Sequence, residues 1–318
     1  MLIGAEDLVR VDAATATIVR HAPQYVRESV VLSIAGCVSA VHFDDVEVAR
    51  RFRSRYVDLV SRAEEIEQNA FAMSDPLLGP LFWSERGAVF RWPHGPLPPH
   101  ATAFLADAVA MTAFFNERDD GIVSLHAATV AIPGAAATII GDSNVGKTTT
   151  AIACARAGLR LYGDERCVID TRSLVHPFAR SINVRAAGRR LLLRDAIAGP
   201  DPIGERLRAH GDDDWNDVRL GELLGGWIAP PPEPLRAVFL ISGTAREPGL
   251  ESTTASRAAK AAPRWAQGAG RGIDKVARLV DLFSGTACYR LELGTPDASA
   301  RAIAAALGSQ RGQLCQSA

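Results

Sequence analysis

The sequence predicts an α/β protein with a P-loop core, preceded by a smaller α+β domain. Three observations predict this class. The β-prone run Thr138–Ile140 leads into a glycine-rich loop, and helix-forming residues then follow over Thr149–Ala157 as far as Gly158. Further apolar runs of strand length alternate with helical stretches along the rest of the chain. Before this region, the proline-rich stretch Trp92–Pro99 is unsuited to a helix or a central strand and marks a boundary.

The smaller N-terminal domain is predicted over residues 1–98. The short apolar runs Val30–Ile34 and Val38–Val41 indicate strands. Apolar residues recur near helical spacing over Asp45–Gln68, which predicts an amphipathic surface helix. No motif in this domain indicates chemistry, so we expect it to pack against the core, to present an acceptor or to mediate self-association into a homo-oligomer.

The second domain is predicted over residues 99–318 and holds the P-loop core. It opens with a largely apolar helix, Ala101–Asn116, and closes with a helix over Ala298–Leu307. The Ala/Gly/Arg-rich stretch Glu251–Gly272 has little apolar periodicity and is predicted to be a mobile loop. The strands predicted in this domain are Ile122–Ile132, Ala135–Ile140, Arg160–Gly163, Arg166–Ile169, Leu235–Ser242 and Ala287–Leu293.

Composition excludes several classes of protein. The net charge is −1 and charged residues make up 22%, so the chain has no general attraction for nucleic acid or membranes. The five cysteines are scattered, which argues against a disulfide framework or a zinc site and fits a reducing compartment. No apolar run approaches the ~18 residues of a membrane span, and no signal peptide is predicted. We therefore expect a cytoplasmic protein.

The phosphate loop, Gly141–Thr148, matches the pattern GxxxxGK[ST] between a strand and a helix. Glycines let successive N–H groups face phosphates at a helix N-terminus, where the dipole favours anions. Lys147 adds a positive charge, and the Thr148 hydroxyl is a ligand for Mg²⁺. The residues predicted to bind the nucleotide are Gly141, Asp142, Ser143, Asn144, Val145, Gly146, Lys147, Thr148 and Thr149.

The loop predicts binding of a nucleoside triphosphate with Mg²⁺. Asn144 suits a left-handed backbone position, because asparagine tolerates that conformation better than most residues. No lysine of the chain lies in an Asn-Lys-x-Asp sequence, which argues against a translational-type GTPase.

The next acidic pair, Asp164-Glu165, is predicted to lie beside the γ-phosphate. The helix after the loop runs roughly 16 Å away from it, at about 1.5 Å per residue. The strand Arg160–Gly163 can return most of that distance at about 3.3 Å per residue. A carboxylate placed there can hold magnesium or accept a proton from a hydroxyl. The alternative is a solvated turn.

Three separated segments together resemble the catalytic domain of bacterial HPr kinase/phosphorylase. They are Ser124-Leu125-His126, the loop GDSNVGKT and the segment Ala157–Arg166, spaced as in that family. The resemblance covers about residues 120–170. It implies a phosphoenolpyruvate-carboxykinase-like core that binds ATP and Mg²⁺ and transfers phosphate to a serine hydroxyl.

The resemblance also implies roles for particular residues. Lys147 would bind phosphates, and Thr148 would bind magnesium. Asp164 matches the proposed base and Glu165 a metal ligand, so Thr148, Asp164 and Glu165 form the predicted metal set. His126 matches the family histidine near the transferred phosphate, whereas a histidine on a strand would otherwise be read as a core residue.

The chain departs from the family pattern in three positions. Asn144 replaces the loop glycine, Thr149 replaces a glutamate and Glu165 replaces an aspartate. The family's downstream P-V-x-P-G-R-N segment, which is associated with phosphorolysis, has no counterpart. In this the chain looks more like the divergent relatives that act as lasso-peptide tailoring kinases. Arg180 or Arg185 could neutralise the transferring phosphate, or both could be surface arginines.

These residues predict a kinase that phosphorylates a serine-type hydroxyl of a peptide or small protein. The predicted catalytic residues are Asp164, His126, Lys147 and Arg180. A natural-product precursor peptide is one such acceptor. Two alternatives stay open: a kinase of a small hydroxylated metabolite, and a non-catalytic regulatory protein in which ATP acts as a switch.

Overall fold

The computed structural model describes residues 7–11, 19, 21–116, 121–194, 199–268 and 272–315. The chain divides into two compact units, Met1–Asp119 and Asp120–Ala318. Both combine helices with sheets, in agreement with the predicted α/β class. The division falls at 119/120 rather than at the predicted 98/99, because helix Pro99–Asn116 packs on a helix and two strands of the first unit.

The first unit is built on one mixed sheet. Within the described residues six strands form it in the order β1-β6-β5-β4-β3-β2, and all neighbours are antiparallel except β3 and β4. The strands are β1 Val9–Val11, β2 Glu28–Ile34, β3 Cys37–Phe43, β4 Gln68–Asp75, β5 Gly79–Ser84 and β6 Val89–Arg91. The helices are α1 Ala22–Tyr25, α2 Val46–Arg55 and α3 Pro99–Asn116, with a 3₁₀ turn at Val57–Leu59.

Helix α2 is much shorter than the predicted helix over Asp45–Gln68, so that prediction is wrong after Arg55. The helix begins where predicted, since the Asp45 carboxylate accepts hydrogen bonds from the first-turn amides. It ends because Tyr56 leaves the helical conformation and is fully buried, with its hydroxyl on Asp107 of α3. Arg55 pairs with the same carboxylate at 3.3 Å. Tertiary contacts with α3 therefore override the helical periodicity.

The second unit holds the phosphate loop. Its strands are β7 Val123–Leu125, β8 Ala127–Ile132, β9 Ala135–Ile140, β10 Arg160–Gly163, β11 Cys167–Ile169, β12 Leu174–His176, β13 Ile182–Val184, β14 Trp215–Val218, β15 Glu233–Thr244, β16 Gly249–Thr253, β17 Ala266–Gln267 and β18 Ala287–Leu293. Its helices are α4 Lys147–Arg156, α5 Ala186–Arg194, α6 Pro202–Ala209, α7 Leu220–Leu224, α8 Ala255–Ala261, α9 Gly272–Phe283 and α10 Pro296–Cys315, with a 3₁₀ turn at Pro263–Trp265.

The long strand β15 organises the main sheet of this unit. It runs parallel to β9 on one side and to β18 on the other, and β9 continues through the antiparallel strands β8 and β10. The start of β15 also pairs with β12, which leads through β11 and β7 to β17. The predicted strands are present with small differences at their ends, except that the single strand predicted over Ile122–Ile132 is wrong. It is divided at His126 into β7, which pairs with β11, and β8, which pairs with β9 and β10.

Buried side chains on the two faces of this sheet form two separate cores. Along β9, Ala137 and Ile139 belong to one core with residues of α4 and α10. Ala136 and Ile140 belong to the other core with residues of α8 and α9. Because side chains alternate along a strand, this division indicates a sheet covered by helices on both faces, as in layered α/β proteins.

The segment Glu251–Gly272 is structured where it is described, so the predicted mobile loop is wrong. Residues 269–271 lie outside the described part. The Thr254 hydroxyl caps α8, and the buried face of the segment is made of alanines, Ala258, Ala259, Ala262 and Ala266. A face made of alanine buries little area per residue and gives a weak hydrophobic period. The alanine-rich composition therefore gives no sequence signal for the helix α8 and the turn that follows it.

Among the helices within the described residues, none combines the length and the apolar character needed to cross a membrane.

Candidate functional site

Two chain segments cross between the two parts of the sheet at the same place. β7 pairs with β11, β8 pairs with β10, and both connections change sheet partners there. His126 lies in the first connection and Asp164-Glu165 in the second. Ala127 pairs with Ile140, the residue before the phosphate loop. The topology thus brings the histidine, the acidic pair and the loop together.

The phosphate loop adopts the predicted strand–loop–helix geometry between β9 and α4. Asn144 has φ of 66°, which confirms the left-handed position expected for it. Gly146 caps α4 with φ of 109°, where a side chain would also lie 3.0 Å from Leu293. Asp142, Ser143 and Asn144 are exposed. The loop therefore turns its polar segment outward at the N-terminus of α4.

The half-buried side chain of Thr149 lies against helix α5. A Cβ atom placed on Gly188 of α5 would lie 2.5 Å from the Thr149 hydroxyl oxygen. The first turn of α4 is therefore covered by α5, and the absence of a side chain at Gly188 permits this contact.

Lys147 lies across the mouth of the phosphate loop. Its ammonium group donates hydrogen bonds to the carbonyl oxygens of Gly141 and Asp142, both at 2.8 Å, and the residue is 8% exposed. Burial lowers its pKa, while the carboxylates of Asp164 and Glu165 oppose the shift. The cation is thus held where it can meet an anion bound by the loop.

Asp164 reaches the phosphate loop as the counted lengths of α4 and β10 predict. Its Oδ2 accepts a hydrogen bond of 2.5 Å from the Thr148 hydroxyl, and the residue is 5% exposed. Burial raises the pKa of Asp164 to about 7, and the charge of Glu165 adds to the shift. The second oxygen, Oδ1, is buried and meets no hydrogen-bond partner among the described residues. A buried carboxylate oxygen without a partner is costly and fits a place for a cation or a proton.

His126 is a partly exposed neighbour of the acidic pair rather than a core histidine. Its side chain is 39% exposed, and its Nδ1 lies 3.1 Å from the Glu165 carbonyl oxygen and 3.4 Å from the Glu165 carboxylate. Burial lowers the pKa of His126, although the Glu165 charge opposes this. A carbonyl oxygen only accepts, so Nδ1 carries a proton, and a neutral ring then leaves Nε2 as an acceptor.

Of the two candidate arginines, the structure brings Arg180 to the site. The guanidinium of Arg180 lies 3.7 Å from the Glu165 carboxylate, and its side chain is 11% exposed. Arg185 is exposed beyond the end of β13. Glu165 therefore pairs with Arg180 and with His126, whereas Asp164 is the member of the acidic pair that contacts Thr148.

Gly163 explains why Arg180 lies so close. The Phe178 amide donates to the Tyr162 carbonyl at 2.8 Å, which draws the chain before Arg180 against β10. A Cβ atom on Gly163 would lie only 2.7 Å from the Phe178 carbonyl oxygen. Only glycine permits this approach of two backbones.

Gly163→Ala is therefore expected to destabilise the protein by roughly 1–3 kcal/mol, the usual cost of overpacking. Urea unfolding should show a lower midpoint with little change in slope. Gly243→Ala is the matched control, since this strand glycine has no neighbour within 4 Å. Equal stability of the two variants would contradict the close packing of β10.

One wall of the site was not predicted from the sequence and is formed by the segment Ala262–Gln267. The Arg264 guanidinium pairs with the Asp142 carboxylate of the phosphate loop at 3.1 Å, and Trp265 accepts a backbone hydrogen bond from His126. Gln267 accepts a hydrogen bond from Arg166, the residue after the acidic pair. No motif marks this segment, and its one usable signal was a tryptophan within a run of small residues.

The residues fit a magnesium ion that is shared with phosphates. No group of three or more His, Cys, Asp or Glu side chains in the described part of the chain could hold a metal alone. Magnesium in nucleotide sites takes one or two protein oxygens and completes its shell with phosphate and water. The Thr148 hydroxyl and the free Oδ1 of Asp164 match that requirement.

The raised pKa of Asp164 predicts a pH-dependent stability difference. Between its unfolded pKa of 3.8 and its folded pKa of about 7, the unfolded state is ionised while the folded state keeps the proton. Wild-type stability therefore falls as pH rises through this window. In Asp164→Asn this contribution is absent, because the amide stays neutral and still accepts from Thr148.

Asp164→Asn should consequently be more stable than wild type at pH 8, by roughly 2–4 kcal/mol at about 1.4 kcal/mol per pKa unit. The gap should narrow toward pH 4. Urea midpoints of both proteins at pH 5 and pH 8, without nucleotide or metal, measure it. A difference that does not vary with pH would contradict the buried, raised-pKa carboxyl.

Neither the comparison with known protein families nor the comparison with curated proteins finds a match for this chain.

Proposed function

We propose that the protein is an ATP-dependent kinase that transfers the γ-phosphoryl group to a serine-type hydroxyl of a peptide or small protein. The observation that carries the proposal is the Thr148–Asp164 contact. It sets a buried carboxylate, one oxygen of which lacks a partner in the described structure, directly beneath a phosphate loop. Such a carboxylate serves phosphoryl transfer either as a base or as a magnesium ligand.

In this proposal, different side chains bind the phosphates, neutralise charge and accept the proton. The loop amides and Lys147 bind the β- and γ-phosphates, and Arg180 offsets charge near Glu165. Asp164 accepts the proton of the attacking hydroxyl as the new O–P bond forms. The bond between the γ-phosphorus and its bridging oxygen then breaks, and ADP leaves. In the metal-free protein the pKa of Asp164 is about 7, close to the pH at which this carboxyl would take the proton.

A bound Mg²⁺ would neutralise negative charge on the phosphates. Thr148, Asp164 and Glu165 are the side chains proposed to hold it, with Thr148 and Asp164 the nearest to the loop. His126 is proposed to contact the transferred phosphate from Nε2. Because that atom is an acceptor in the neutral ring, His126 would need a second proton to bind phosphate oxygen directly.

We also propose a family, a phosphate acceptor and a cellular compartment for the protein. The HPr kinase/phosphorylase-like core, with its phosphoenolpyruvate-carboxykinase-like sheet, remains the family that these motifs resemble. A precursor peptide remains the proposed acceptor. The cytoplasm is the proposed compartment, a setting supported by the buried free thiols Cys154, Cys167 and Cys288.

Titration calorimetry tests nucleotide recognition directly. We expect the protein to bind ATP more tightly with Mg²⁺ than with EDTA, and to bind AMP far more weakly, because the loop recognises the β- and γ-phosphates. Equal affinity for ATP and AMP would show that the loop is not the binding site. No detectable binding of any nucleotide would remove the proposed function altogether.

A further inference from the structure

The segment Ala262–Gln267 is fixed beside the site by several independent bonds to His126, β7 and Lys275. The Trp265 carbonyl accepts from the His126 amide at 2.7 Å, and β17 pairs with β7. The Lys275 ammonium donates to the Ala266 carbonyl at 2.7 Å. The backbone that carries Arg264 is therefore anchored from both sides, so the position of Arg264 is built into the fold.

Arg264 rests on two neighbours at the mouth of the loop. Its Nη2 lies 3.1 Å from each carboxylate oxygen of Asp142, and its guanidinium carbon lies 4.1 Å from the centre of the Trp265 ring. The carbonyl of the same Asp142 accepts from Lys147. Asp142 thus holds two cations, one by its backbone and one by its side chain.

This arrangement is poorly explained as a source of stability. The side chain of Arg264 is 64% exposed and that of Asp142 is 59% exposed, and exposed ion pairs contribute little. Placing two cations on the same residue also costs electrostatic energy, because the cations repel each other. The same arrangement is well suited to an incoming polyanion, because a guanidinium matches the geometry of phosphate oxygens and the aromatic face restrains its motion.

We propose that Arg264 is a phosphate-contacting residue of the nucleotide site. Without nucleotide its guanidinium lies on Asp142. A bound triphosphate, with more negative charge than one carboxylate, draws the guanidinium onto its terminal phosphates. This inference rests on the proposed function and goes beyond it, because it assigns a residue that no motif of the phosphate loop includes.

Arg264→Ala is expected to weaken Mg·ATP binding on the order of tenfold to a hundredfold, the usual worth of charge-assisted hydrogen bonds. The loss should be smaller for ADP and absent for AMP, since the contact is to the terminal phosphates. Arg257→Ala is the matched control, an exposed arginine on α8 of the same region. Arg257→Ala should bind Mg·ATP with the affinity of the wild-type protein.

The variant Asp142→Asn distinguishes two roles for Arg264: contacting phosphate, and stabilising the loop through its ion pair with Asp142. If Arg264 only braces the loop, removing either partner should weaken ATP binding equally, and the double variant should be no worse. If Arg264 contacts phosphate, Asp142→Asn should not share the loss of ATP affinity seen in Arg264→Ala, because the backbone of residue 142 is kept and a competing anion has gone. Equal losses in the two single variants would overturn the inference.

Trp265 gives a second readout that does not depend on affinity. Departure of the guanidinium from its ring should change tryptophan emission when Mg·ATP binds, and Trp265→Phe should lose that change while still binding ATP. If the wild-type protein binds ATP and Arg264→Ala binds it with the same affinity, this inference alone is overturned. Wild-type protein that binds no nucleotide overturns the proposed function as well.

Discussion

Lys147→Ala is expected to abolish detectable phosphoryl transfer and to weaken Mg·ATP binding by about a hundredfold or more. The ammonium group is the buried cation at the loop mouth, and its two hydrogen bonds are to carbonyl oxygens of the loop itself. Its loss removes both the phosphate charge partner and a restraint on the loop, and single interactions of this kind are worth several kcal/mol in a site shielded from water. Calorimetry and a γ-phosphate transfer assay measure the two effects.

Lys260→Ala is the matched control for this variant. Lys260 is one of only three lysines in the chain and lies exposed on α8. The Lys260→Ala protein should bind Mg·ATP and transfer phosphate like wild type. A Lys147→Ala protein that stays folded and still binds Mg·ATP at wild-type affinity would show that the phosphate loop does not bind the nucleotide.

Asp164→Asn should lose phosphoryl transfer by about 10²–10⁴-fold, the usual contribution of a general base, while keeping its affinity for metal-free ATP within a few-fold. The amide keeps the shape of the side chain and its contact to Thr148, but it cannot accept a proton. Turnover and ATP affinity measured on the same preparation separate the two effects.

Asp44→Asn provides the control for that substitution. Asp44 is another carboxyl whose pKa burial raises, yet it lies in the first unit and accepts from the Ser74 amide. Its replacement should leave transfer unchanged. Full transfer activity in Asp164→Asn would remove Asp164 from the role of base.

The parts of the site that could be predicted are those fixed by local chain geometry. The phosphate loop follows from residue types at set spacings, and the return of Asp164 to the loop follows from adding a helix length to a returning strand. Asn144 occupies a left-handed position for a reason visible in its side chain. These features need no knowledge of distant residues.

The parts that could not be predicted depend on long-range packing. Helix α2 ends early because Tyr56 bonds to Asp107, more than fifty residues away along the chain. Residues near Tyr56 in the sequence give no sign of this contact. The wall segment is ordered by burial of alanines and by pairing of β17 with β7, and neither leaves a period in the sequence. Arg264 was therefore missed as a residue of the site.

The most direct test of the account is transfer of labelled γ-phosphate from Mg·ATP to a panel of acceptors. The panel should include serine-containing peptides, the same peptides with alanine in place of serine, small hydroxylated metabolites and water alone. We expect wild-type transfer to serine peptides only, no detectable transfer by Lys147→Ala and a loss of about 10²–10⁴-fold in Asp164→Asn. Binding of ATP by the wild-type protein without transfer to any acceptor would contradict the account.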